Sequence, residues 1–261
     1  MKGGALVLIL ATGCYAAHER PPVCDDAPEP TGLPRSGQAV LASIDENLGL
    51  AAGFVDVSLD DYDAETVTGT GVIASAGDCV VLSGGAVAAM SEDAGDVMAS
   101  DGDERLATAH FAGRRASPYD DGAGVPPSHV ADGDVVTITG QGASVSPFAA
   151  CVRMPQAPSE PLPTTMPLHG PFGVSWIAAG GAQRAHLEIG AVFHGAIVIL
   201  RCIAPATSGR IDVPEMLRAG LPHGSRPQIT FTLENTRVVA AGDYAVRATA
   251  AHGLTGNILI E

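Results

Sequence analysis

The sequence predicts an all-β fold, two β-sandwich domains behind an exported N-terminus. Three observations carry this. Runs rich in β-branched and aromatic residues alternate apolar and polar with the period of two that a half-buried strand requires. The 32 glycines and 19 prolines break those runs at short intervals, as turns between short strands do. Few stretches hold the i, i+3, i+4 spacing of a long amphipathic helix. At 261 residues the chain is long enough for two modest domains with their own cores.

Residues 1–13 read as an export signal ending at Cys14. Lys2 supplies the charged start, Ala5 to Ala11 are apolar without interruption, and Thr12 and Gly13 are small. Seven apolar residues fall short of the roughly 20 a helix needs to cross a bilayer, so the run is a signal core and not a span. Leu10-Ala11-Thr12-Gly13-Cys14 resembles the lipobox of bacterial lipoproteins, which implies that Cys14 is diacylated and becomes the first residue of the mature chain. Ala11 stands where that motif usually has leucine. The other reading is ordinary signal-peptidase cleavage after Ala16 or Ala17, with Cys14 discarded. Residues 14–37 then form a tether: Pro21, Pro22, Pro28, Pro30 and Pro34 lie among Asp25, Asp26 and Glu29, an extended and solvated composition with nothing to bury.

A first, acidic sandwich is expected over 38–154. Gln38 to Ile44 makes its opening strand, and Phe54, Val55, Val57 and Leu59 a second. Cys79 to Leu82 reads as buried, Gly84-Gly85 turns the chain, and Ala86 to Met90 pairs back as a hairpin. Leu106 to Phe111 is a further strand. Asp132-Gly133 turns into the strand at Val135, Val136, Ile138 and Thr139, and Ala143 to Val152 closes the domain. Pro155, Pro158, Pro161, Pro163 and Pro167 mark 155–167 as a linker.

The second domain is expected over 168–261. Phe172, Val174 and Trp176 alternate in an opening strand, with the single tryptophan as a core anchor. His186 to Cys202 reads as two strands: His186 to Ile189 alternate, and Ala196 to Leu200 form an apolar β-branched run bounded by Arg201 and Cys202. Proline at 214 and glycine at 220 suggest one helical turn between them. Ile229, Phe231 and Leu233 alternate, Gly242-Asp243 turns into Tyr244 and Val246, and Ile258 to Ile260 end the chain. About seven short strands in this span is what an immunoglobulin-like sandwich requires.

Ala131-Asp132-Gly133-Asp134, Val145-Ser146-Pro147-Phe148, the Trp176 strand, Arg201-Cys202, Gly209 to Pro214, Leu221-Pro222 and Ala241-Gly242-Asp243-Tyr244 together resemble a group of uncharacterised predicted lipoproteins of myxobacteria and related bacteria. The resemblance covers most of the mature chain and rests on turns and core residues. It implies architecture and export and brings no activity. Members of that group often carry extra paired cysteines near the position of Cys79, a cluster that is thinner in this chain.

Charge narrows the partners. Residues 1–134 hold 22 acidic and 6 basic side chains, and 135–261 hold 7 and 8. An acidic front half without basic patches argues against nucleic acid. With Cys14 lipidated, Cys24, Cys79, Cys151 and Cys202 remain and allow three pairings; Cys24 with Cys79 is the one that ties the tether to the first domain. Cys202, at the end of a buried strand, also reads as a simple small apolar residue. No two cysteines have zinc or redox spacing.

Loop carboxylates offer the one expected ion site, for calcium, at Asp101, Asp103 and Glu104, with further clusters at Asp60, Asp61, Asp63 and Glu65 and at Asp120 and Asp121. None has the twelve-residue calcium-loop spacing, and all read equally as a solvated acidic surface. His186 and His194 approach across neighbouring strands with Glu188 nearby, a weak metal constellation. No serine sits in a Gly-x-Ser-x-Gly frame, and the expectation is a non-enzyme. The expected role is that of an exported, lipid-anchored protein of the outer membrane or cell surface, structural or spacer in character. The alternative is a surface module that binds a protein or glycan, with calcium support.

Overall fold

The computed structural model describes residues 28–56, 71–84, 91–113, 119–120, 130–178, 181–193 and 196–261. Cys14, Cys24, the acidic run Asp60 to Glu65, Asp121, the strand expected at Ala86 to Met90, and His194 lie outside the described residues.

The fold is all-β. In chain order the strands are β1 (Arg35–Ile44), β2 (Asn47–Val55), β3 (Gly71–Ala76), β4 (Cys79–Gly84), β5 (Val97–Asp101), β6 (Glu104–Phe111), β7 (Tyr119–Asp120), β8 (Val135–Gly140), β9 (Phe148–Arg153), β10 (Thr165–Met166), β11 (Gly173–Ser175), β12 (Arg184–Phe193), β13 (Ala196–Pro205), β14 (Arg210–Asp212), β15 (Gln228–Ala241), β16 (Tyr244–Asn257) and β17 (Leu259–Ile260). One short helix, α1 (Glu215–Arg218), follows Pro214, where the sequence places a helical turn.

Strand pairing crosses the expected domain boundary. An eight-stranded sheet runs β2-β1-β16-β15-β12-β13-β4-β3, so strands from 35–84 and from 184–257 share one hydrogen-bonded surface. The linker 155–167 therefore does not separate two self-contained sandwiches. The sequence reading pairs near neighbours, whereas β1 lies parallel to β16 with Arg35 beside Tyr244, and β4 lies antiparallel to β13. A five-stranded sheet, β7-β6-β5-β8-β9, and two two-stranded ones, β10-β17 and β11-β14, complete the fold.

Two apolar cores lie on the inner face of the large sheet. The first joins Leu41, Leu50, Phe54, Val246 and Ala250 to Val97, Ile138, Phe148 and Val152 of the five-stranded sheet. Here Phe54 lies opposite Gly37 and Phe148 opposite Gly140. Each ring occupies the space a Cβ would take, with an ideal Cβ falling 2.3 Å from a ring carbon at both glycines. The two rings then meet between the sheets with centroids 5.8 Å apart. The second core gathers Leu187, Leu200, Phe231, Leu233 and Ile258 around Trp176. As expected of an anchor, Trp176 is buried; it packs on Phe231, and its Nε1 donates to the Ala206 carbonyl at 2.8 Å.

β15 and β16 are long enough to serve both cores, 14 residues each. Between the cores their inner face turns polar. Asn235 donates to the Arg153 carbonyl and accepts the Gln183 N–H, both at 2.9 Å, and His252 stands beside it, buried.

Candidate functional site

A cluster of chemically competent side chains lies on the outer face of the large sheet. Leu187, Ile189, Leu200 and Leu233 point into the second core, so period two sends Arg184, His186 and Glu188 of β12, Arg201 of β13 and Glu234 of β15 to the opposite side. Antiparallel register sets Arg184 beside Glu234 and Glu188 beside Arg201. A ladder results. Arg184 pairs with Glu234 at 3.2 Å, Glu234 with His186 Nδ1 at 3.1 Å, and Glu188 with Arg201 at 3.2 Å. His186 Nε2 lies 3.7 Å from Glu188, an electrostatic contact too long for a hydrogen bond, and among the described residues that nitrogen has no hydrogen-bond partner.

Glu234 is the buried centre of the ladder, with only 11 % of its side chain exposed. Burial would raise its pKa, but the hydrogen bond and charge of His186, the charge of Arg184 and the Thr232 hydroxyl together hold it below the ordinary carboxylate value. Thr232 donates to Glu234 Oε1 at 2.9 Å. The hydroxyl nearest the imidazole is thus spent on the carboxylate, and His186 faces carboxylates at both nitrogens. The arrangement cross-links three strands by charge.

The expected ion site does not gather. Asp101, Asp103 and Glu104 form the exposed tip of the β5–β6 hairpin. Among the described residues no three of His, Cys, Asp and Glu come close enough to hold a metal ion, the pair His186 and Glu188 included.

The cysteines are paired differently from the expected Cys24–Cys79 bond. Cys79 is bonded to Cys202, which also corrects the reading of Cys202 as a free apolar residue. The cause is the recruitment of β4 to β13, which sets the two cysteines directly opposite each other. Both are buried in the second core. Cys151, on β9, is disulfide-bonded as well.

Sequence reasoning found His186 and Glu188 but missed Arg184, Arg201 and Glu234 as their neighbours. One signal was present: Thr232 and Glu234 interrupt the apolar series Ile229, Phe231 and Leu233 at alternate positions, which marks them as the other face of a strand. Comparison with known protein families, with characterised proteins and with solved structures finds no match to this chain.

Proposed function

We propose that the chain is an exported protein held at the outer membrane or cell surface by a lipid on Cys14, with a structural role as a rigid spacer. The observation that carries the reading is the buried Cys79–Cys202 disulfide, a bond that persists in oxidising compartments and is rare where thiols are kept reduced. The five cysteines fit either processing route: Cys14 stays out of any disulfide both when it is acylated and when it is removed with a signal peptide. Among the described residues no helix is long and apolar enough to cross a membrane.

A second reading, a surface module that binds a protein, draws on a different observation. Val72 and Ile73 of the edge strand β3 and Met216 of α1, beside it, are exposed aliphatic side chains, Ile73 at 62 % and Met216 at 69 %. Such a surface suits another protein better than a glycan, which favours aromatic platforms.

The deciding experiment is intact mass of the native protein from a membrane fraction, with and without reduction. The proposal expects a chain starting at Cys14 with acyl groups attached, a gain of four hydrogens on reduction, and Cys24 joined to Cys151 in peptide maps. A chain starting near Ala17 in the medium would end the lipid-anchor reading.

A further inference from the structure

The two cores meet at a polar seam on the inner face of β15 and β16, and His252 lies in it with 8 % of its side chain exposed. Its Nδ1 sits 3.0 Å from Asp132 Oδ1, close enough for an ion pair but not aligned as a hydrogen bond, and its Nε2 is buried with no hydrogen-bond partner among the described residues. Asp132 belongs to the turn that enters β8, and the same oxygen accepts the Ala157 N–H at 3.1 Å. One carboxylate oxygen thus brings together β16, the entry to the five-stranded sheet and the segment that leaves it.

Among the described residues, the surroundings of the ring carry one charge. Across the sheet stand Leu233 of β15 and Ser43 of β1, and Ala250 and Leu254 flank it on the same face of β16. On the turn, Asp134 is folded back onto the Ala131 N–H and Arg153 donates to the Gly133 carbonyl. Glu234 points to the opposite face, toward Arg184 and His186. Asp132, half exposed, is the charge that His252 meets.

We propose that His252 is a pH-sensitive latch: its neutral ring keeps the Asp132 turn seated on the large sheet, and its protonation releases that turn. A protonated ring would place a positive charge and an unmet N–H in a wall that excludes water, with a single, poorly aligned carboxylate to offset it. Burial lowers the pKa of His252 and prevails over the pull of Asp132. A depressed histidine binds its proton more weakly in the seated state than in the open one. The seated state is therefore fully stable above the ordinary histidine value of ~6.5 and loses stability as the pH falls below it, toward the depressed value. For an exported chain, the pH that sets the latch is that of the surroundings.

Hydrogen exchange on the full chain reads this directly. The Gly133 N–H bonds the Met154 carbonyl, the Met154 N–H bonds Asp134, and the Ala157 N–H bonds Asp132. Between pH 7.5 and 5.5, protection of these three amides, corrected for intrinsic exchange, is expected to fall severalfold, up to about tenfold, while the amides pairing β15 with β16 keep theirs. In His252→Asn, or His252→Gln if the first does not fold, protection at the turn is expected to be independent of pH. Loss of protection that persists in the variant, constant protection in the natural chain, or a His252 ring that titrates by NMR at or above ~6.5 would each overturn the proposal.

Discussion

Gly37 and Gly140 are worth more to this fold than their missing side chains suggest. Each lets a phenylalanine on the neighbouring strand lie flat over the backbone, and the two rings join the facing sheets. Gly37→Ala and Gly140→Ala push a methyl into a ring, so each is expected to destabilise the protein by about 1–3 kcal/mol, measured by urea unfolding. An alanine that costs nothing would mean the ring has another place to go. The turn between β1 and β2 shows where residue-level reading fails. Asp45 and Glu46 both take positive φ, 47° and 66°, a conformation usually assigned to Asn-Gly. The Asp45 carboxylate accepts the Thr255 N–H at 3.3 Å, a contact 210 residues away that no local pattern announces.

At the scale of elements, the ladder on β15, β12 and β13 makes stability depend on acid. The Glu234 pKa is lower in the folded chain than in the unfolded one, so its contribution is present above the ordinary carboxylate value of ~4.3 and is lost as the pH falls through the folded value. Glu234→Gln is expected to lower the midpoint of thermal unfolding at pH 7 and to flatten the acid limb of its pH profile. An unchanged acid limb would show that the ladder does not hold these strands. The Glu234 effect begins below ~4.3 and that of His252 below ~6.5, so the His252 effect sets in first as the pH falls. The strands themselves were legible where alternation or a short apolar run marks them: β1, β6, β8, β12, β13, β15 and β16 fall where the sequence places strands. β3 was missed because its large side chains, Val72 and Ile73, are adjacent and exposed, and only the small Ala74 and Ala76 turn toward the core, so no apolar alternation shows.

For the whole molecule, the decisive fact is that one sheet carries both cores. β1 has β16 for its inner neighbour, and the first core takes Tyr244, Val246, Ala248 and Ala250 from that strand. A fragment of 38–154 expressed alone is therefore expected to be unfolded, with little dispersion in its amide NMR spectrum and no cooperative melt. A folded fragment would restore the division into two independent domains. The Cys79–Cys202 bond, with a sequence separation of 123, ties the same two halves covalently.

The sequence by itself determined the class of the fold, most of its strands, the buried tryptophan and the helical turn after Pro214. These follow from side-chain period and turn chemistry, which act over a few residues. Tertiary structure alone decided which strands are neighbours. It set Cys79 opposite Cys202, drew Arg184, Arg201 and Glu234 around His186, and buried His252 against Asp132. Those meetings depend on sheet order between segments as much as 123 residues apart. Alternation tells a strand which face to bury but not which strand to lie beside.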